Sequence, residues 1–184
     1  CLEMADYQGF EARRAEAKKR GKLAGIGISF SIERSAAAGF EGAEIRFDRS
    51  GTVTLLTGAI NHGQGHATTF TQVLCDRLGV DPKDVHYIAG DTDMLSYGEG
   101  TGGSRSAALA GSAVHLAAVK VIDKAKKLAA HLMEVDDVEF AGGVFTSRKT
   151  NRAMTIKEVA KAASVPAKLP KDMEPGLLGQ AVYN

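Results

Sequence analysis

At 184 residues, with 44% hydrophobic and 24% charged residues, the chain has the composition of a globular protein able to bury a core as one or two small domains. Its formal net charge of +1 at pH 7 gives no overall support for nucleic-acid binding, and no apolar run approaches the ~18–20 residues of a membrane span. Cys1 and Cys75 supply neither a disulfide framework nor metal-site spacing, and the N-terminus lacks the apolar core of a signal peptide, so a reducing, cytoplasmic setting is expected.

Met4 to Arg20 is predicted as a charged, alanine-rich helix closed by Gly21, its basic last turn matching the helix dipole. Leu23 to Glu33 alternates Ile26, Ile28, Phe30 and Ile32 with Gly27, Ser29 and Ser31, the pattern of a half-buried strand. Ser35 to Gly42 reads as a loop. Ala43 to Phe47 and Val53 to Thr57 flank Asp48-Arg49-Ser50-Gly51 as a hairpin. Ala67 to Leu78 has helical spacing and ends at Gly79; Asp81 to Asp84 is a turn, and Val85 to Ala89 a short buried strand.

A long helix is expected from a cap at Ser104 or Ser106 to about Met133, roughly 40 Å at 1.5 Å per residue. Its apolar stripe is Val114, Ala118, Val121, Ala125, Leu128 and Leu132, and its first turns, Ala107 to Ala113, are almost all small residues that demand close packing. Val138 to Ala141 and Val144 to Ser147 form a second hairpin around Gly142-Gly143. Thr155 and Glu158 make a capping box for a short helix through Ala160. From Ser164 on, three prolines and a glycine predict irregular structure, so the domain reading is 1–163 with an irregular segment 164–184. The order of elements is mixed, and the hairpins argue against a purely parallel sheet. An α+β fold with two-layer packing of mixed sheets on helices follows. The two ends, without an initiator Met and without a polar tail, read as a piece of a longer polypeptide.

The functional information concentrates between Gly58 and Ser112. Two glycine-rich turns, Gly63-Gln64-Gly65-His66 and Thr101-Gly102-Gly103-Ser104-Arg105-Ser106, each follow a strand-like run and open a helix. Helix N-termini present unpaired N–H groups and partial positive charge, and glycine lets a ligand approach the backbone. The pair points to an extended polyanionic ligand held at two places. Each turn alone serves equally well as a generic helix start; neither is a Walker loop or a dinucleotide fingerprint.

His62 and His66 have glycines between them and no further zinc ligands. Ser104, His66 and Asp91 lack a nucleophile elbow, Cys75 sits in an apolar helix run, and Asp91 and Asp93 read as turn caps. Arg105 stands out, because a cation at a helix start is unfavourable without an anion nearby.

Taken together, the two turns resemble the molybdenum-binding large subunit of the xanthine dehydrogenase / aldehyde oxidase family, particularly its aerobic carbon monoxide dehydrogenase large-chain branch. The matching text is Gly63-Gln64-Gly65-His66-Ala67-Thr68-Thr69, Gly90-Asp91-Thr92, and Tyr97-Gly98 through Gly100-Thr101-Gly102-Gly103-Ser104-Arg105-Ser106. Ala5-Asp6-Tyr7, Phe10 to Arg14 and Gly25-Ile26-Gly27 are also similar, and the likeness weakens after about Ala163.

The resemblance implies a molybdenum–molybdopterin cytosine dinucleotide cofactor, contacted by Gln64, Gly65 and His66 with Thr68 and Thr69 nearby. A second contact is implied for Gly102, Gly103, Ser104, Arg105 and Ser106, with Gly103 nearest the metal. It also implies iron–sulfur clusters and FAD on partner domains or subunits, and hydroxylation or carbon monoxide oxidation by the whole assembly. The family's catalytic Gly-x-Gly-Glu does not occur before Asn184, and the upstream substrate loop is missing; Glu99 is not its counterpart. Hence no catalytic or metal-ligating residue is assigned, the chain alone is expected to be inactive, and its uncovered surfaces favour self-association. The alternatives are a nucleotide- or phosphate-binding module without redox chemistry, or a structural domain whose glycines only permit close packing.

Overall fold

The computed structural model describes residues 1–36 and 38–184. Ala37, within the loop expected over Ser35 to Gly42, lies outside the described residues. The chain divides into two compact units, Cys1–Glu33 and Arg34–Asn184.

In the first unit, α1 covers Phe10–Lys19, shorter than the expected Met4 to Arg20. A turn delays its start: Asp6 takes a φ of 45°, and its carboxylate accepts the Gly9 amide at 3.2 Å and pairs with Arg13. Gly21, at φ 69°, follows the last turn as expected. Leu23 to Glu33 is not a strand, despite its alternation. A strand needs a ladder partner, and among the described residues none pairs with this segment, which leaves Leu23, Phe30 and Ile32 more than nine-tenths exposed.

The second unit is built on a four-stranded sheet in the order β3 (Val85–Ala89), β2 (Val53–Thr57), β1 (Glu41–Phe47) and β7 (Leu177–Tyr183). The expected first hairpin is present as β1 (Glu41–Phe47) and β2 (Val53–Thr57), with Ala43 opposite Thr57 and Gly51 at φ 89° in the turn. From β2 the chain crosses through α2 (His66–Leu78) to β3 (Val85–Ala89), which pairs parallel to β2. Gly79 closes α2 at φ 64°, where a side chain would collide with the Gly142–Gly143 backbone. Asp81 caps the following short 3₁₀ turn by accepting the Lys83 amide at 3.0 Å.

The long helix opens with a π-helical turn, Ser106–Ala110, and continues as α3, Gly111–Met133. Neither expected serine is its cap: Arg105 occupies that position without a capping side-chain bond, and the Ser106 hydroxyl faces Thr101 at 3.4 Å. The predicted stripe is buried from Val114 to Leu128, with Leu132 partly buried, against the face of the sheet carrying Ala43, Ile45, Val53 and Leu55. By length and composition, Ser106–Met133 is apolar enough to cross a bilayer, with a mean hydropathy of 1.3 over 18 residues, contrary to the expectation that no run comes close. Its stripe is instead taken up by the sheet and α2.

β4 (Val138–Ala141), β5 (Val144–Ser147) and β6 (Ala153–Thr155) form a second, antiparallel sheet. The capping box at Thr155 and Glu158 starts α4 (Ile156–Ala163) as expected. The segment expected to be irregular ends in β7 (Leu177–Tyr183), antiparallel to β1 with Phe47 opposite Leu177. Prolines upstream and weak strand formers within, Gly179 and Ala181, hide it from sequence. Gly179 is required because a β-carbon there would strike the Ala117 carbonyl and lie 2.8 Å from Val121 Cγ2. The result is a mixed α/β fold of two sheets and packed helices.

Two outcomes follow. Gly179→Ala overpacks the contact of β7 with α3 and should cost about 1–3 kcal/mol in denaturant unfolding of the parent protein. Thr155→Ala removes a helix cap and should cost about 1 kcal/mol. The backbone N–H of Thr155, then its hydroxyl, hold the Glu158 carboxyl below its ordinary range. This contribution is therefore present at neutral pH and fades as pH falls through the folded-state value. The penalty of Thr155→Ala should shrink in acid.

Candidate functional site

The first turn is organised by Asn61, which sequence reading passed over. Its Oδ1 accepts the amides of Gly63 at 3.2 Å and Gly65 at 3.0 Å, while Gln64 Oε1 accepts the His62 amide. Gly63 and Gly65 take φ of 111° and 78°, values open to glycine at little cost, and a β-carbon on either would meet open space. Gly65 is the N-cap of α2 and supplies no side-chain cap. His66 is the first helical residue, buried, stacked on Phe70 with ring centroids 5.0 Å apart, and its Nδ1 has no hydrogen-bond partner among the described residues.

The second turn is tied to the first by Thr101, whose hydroxyl donates to the Ile60 carbonyl at 2.6 Å. Among the described residues Gly102 and Gly103 also have open β-carbon directions, and Gly103, with φ 54°, accepts the Ala36 amide through its carbonyl. Arg105 does not point freely outward. Its Nη2 donates to Glu41 Oε1 at 3.0 Å, Nη1 to Glu99 Oε2 at 2.6 Å, and Nε to the Gly100 carbonyl at 3.1 Å. Burial works hardest against its charge, but the Glu99 and Glu41 carboxylates together outweigh it and hold the guanidinium above its ordinary range.

Between the turns lies a cavity of about 540 Å³, within the usual size of a small-molecule site. It is lined by Gln64, His66 and Thr69 from the first turn and its helix, and by Gly102, Ser104, Arg105 and Ser106 from the second. Phe70, Val73, Thr101, Ala107 and Gly111 complete it. Three expected site residues, Gly65, Thr68 and Gly103, do not line the cavity, although each lies in one of the two turns or the helix start beside it. Thr68 is exposed and donates its amide to the Gly65 carbonyl. Phe70 and Val73 look like ordinary core positions in sequence, and only the meeting of α2 with the start of α3 turns them into walls.

Other arrangements of residues do not assemble. Asp91 lines a separate cavity of about 200 Å³ away from Ser104 and His66, and its carboxylate accepts the Asp93 amide at 3.0 Å as a turn cap. Burial first, then Asp81 and Asp84, push the Cys75 thiol up, the opposite of what a nucleophile needs.

Comparison with known proteins gives the family of the chain. A profile for the molybdopterin cofactor-binding domain matches residues 1–184. The chain is 36% identical to the carbon monoxide dehydrogenase large chain of Afipia carboxidovorans over 97% of its length and 25% of that relative's. It is 30% identical to the 6-hydroxypseudooxynicotine dehydrogenase complex subunit gamma of Paenarthrobacter nicotinovorans, over 100% of this chain and 23% of the relative. The solved structure of reconstituted CO dehydrogenase from Oligotropha carboxidovorans superposes with a TM-score of 0.77 at 35% identity, covering 99% of this chain and 25% of that one. The chain thus spans about a quarter of the length of the relatives it matches. It belongs to the molybdopterin cofactor-binding domain family, homologous to the carbon monoxide dehydrogenase large chain and the xanthine dehydrogenases.

Proposed function

We propose that this chain is the part of a molybdenum hydroxylase or carbon monoxide dehydrogenase-like large subunit that grips a pterin dinucleotide, in the cytosine form, between its two glycine-rich turns. The observation that carries this reading is that residues of both turns line one and the same cavity. The donor set suits such a ligand. Among the described residues, a β-carbon at glycines 63, 65, 102 and 103 would meet open space, Gly102 of these lining the cavity itself, two helix starts favour anions, and the buried His66 Nδ1 has no hydrogen-bond partner.

In this reading Gln64, Gly65 and His66 hold one portion of the cofactor, with Thr68 and Thr69 beside them. Gly102, Gly103, Ser104 and Ser106 hold another, Arg105 shaping that turn from within. When bound, the molybdenum–pterin group supplies two-electron oxidation with water as the oxygen source. The residues of this chain orient it and screen it from solvent. The rest of the large subunit supplies substrate contacts and the acid–base group, and iron–sulfur and flavin partners carry electrons away. The chain by itself is not a complete catalyst.

The test is the molybdenum and acid-released cytidine monophosphate content of the purified parent complex. Roughly stoichiometric amounts of both are expected. Molybdenum without the nucleotide overturns the cytosine form, and neither in a matured preparation leaves simple anion binding or packing as the role of the turns. Gly102→Ala gives a sharper check. Gly102 lines the cavity, lacks a positive φ, and among the described residues has nothing within 4 Å of a β-carbon. Stability should move by no more than about 0.5 kcal/mol, while molybdenum content falls severalfold. Unchanged molybdenum content would place the cofactor elsewhere.

A further inference from the structure

We propose that Glu41 is a positioning residue: through Arg105, its buried carboxylate clamps residues 99–106 into the shape that forms one wall of the cavity. The clamp follows from geometry; its consequence for cofactor retention rests on the function proposed above.

Glu41 is fully buried at the start of β1, on the face that continues as Ala43, Ile45 and Phe47. An acid at the end of an apolar face needs a reason, since burying a carboxylate is unfavourable unless it is paired and hydrogen-bonded. Here Oε1 accepts twice, from Arg105 Nη2 at 3.0 Å and from the Glu99 amide at 3.1 Å. An isolated β-bridge joins Glu41 to Gly98. The same guanidinium reaches Glu99 and the Gly100 carbonyl, so one planar fork connects the sheet to the segment entering the turn. A lysine would not impose the same geometry, because its donors all sit on one nitrogen and cannot be spread along a planar fork as those of Arg105 are.

The surrounding backbone is cut to fit this pair. A β-carbon on Gly58 would lie 2.7 Å from Glu41 Oε2, and one on Gly98 would lie 3.2 Å from it. A side chain on Gly39 would collide with both Glu99 Oε2 and Arg105 Nη1. Glu41 Oε2 itself is buried without a hydrogen-bond partner among the described residues. A half-satisfied buried ion pair adds little to stability compared with apolar packing. What it does provide is a defined direction for the turn.

Hydrogen–deuterium exchange on the parent protein tests this, using material from cells grown with and without molybdate. In Glu41→Gln, peptides covering 99–107 should exchange about ten-fold faster in both preparations, while the β1–β2 and β1–β7 ladders keep their protection. Unchanged exchange in 99–107, or loosening spread evenly through the sheet, overturns the proposal. If Glu41→Gln does not fold, Arg105→Lys, which keeps the charge and loses the fork, is read the same way, and an unchanged turn there overturns it too. Molybdenum retention on gel filtration separates the two readings. A loosened turn with faster molybdenum loss supports both. A loosened turn with full retention supports the clamp and overturns the role of this turn in holding the cofactor.

Discussion

The contact between Glu41 and Arg105 joins residues 64 apart in sequence and ties β1 to a residue that lines the cavity. Arg105 stands where the long helix begins, a place where the helix dipole disfavours a cation. Two carboxylates, one of them fully buried, compensate that cost. Removing one member of such a buried pair typically costs about 3–5 kcal/mol, because the survivor keeps its desolvation penalty. Glu41 cannot therefore be exchanged without consequence for Arg105, nor Arg105 for Glu41. The sheet and the turn are coupled at this point.

A second coupling runs between the turns. Thr101 donates to the Ile60 carbonyl immediately ahead of Asn61, and Asn61 in turn accepts the amides of Gly63 and Gly65. Displacement of either turn is thus felt by the other through one hydroxyl and one amide side chain. Below them, α2 and the start of α3 meet through small residues. Gly111 faces Phe70, and Ala110, Ala113, Ala117 and Ala118 are fully buried. This close approach lets His66 and Phe70 reach the same cavity as Ser106 and Ala107.

Much of this was legible in the sequence because the signals were local. The hairpin around Gly51, the helix ending at Gly79, the stripe of the long helix and the Thr155–Glu158 box all rest on short-range chemistry. The misses share a different cause. β7 is a strand because β1 and α3 provide a place for it, with Gly179 chosen for its lack of a side chain. Leu23 to Glu33 has a strand's pattern and no partner among the described residues. In the site, the two glycine-rich turns could be read directly, whereas Glu41 could not. It lies two residues ahead of where alternation begins, and its meaning comes from a residue on another element.

The disposition of Arg105 also bears on how an anion would be held. Its charge is engaged by Glu41 and Glu99, so the net charge of the three groups is not positive. Attraction for a phosphate in the proposed mode then falls to other groups of the cavity: backbone amides at two helix starts and the imidazole of His66. Hydrogen-bond donors act at short range and in fixed directions. They discriminate by shape where a free guanidinium would attract any anion within a Debye length. In the proposed mode the internal clamp would have two effects at once: it would set the direction of those donors, and it would withhold the guanidinium charge that would otherwise attract any anion.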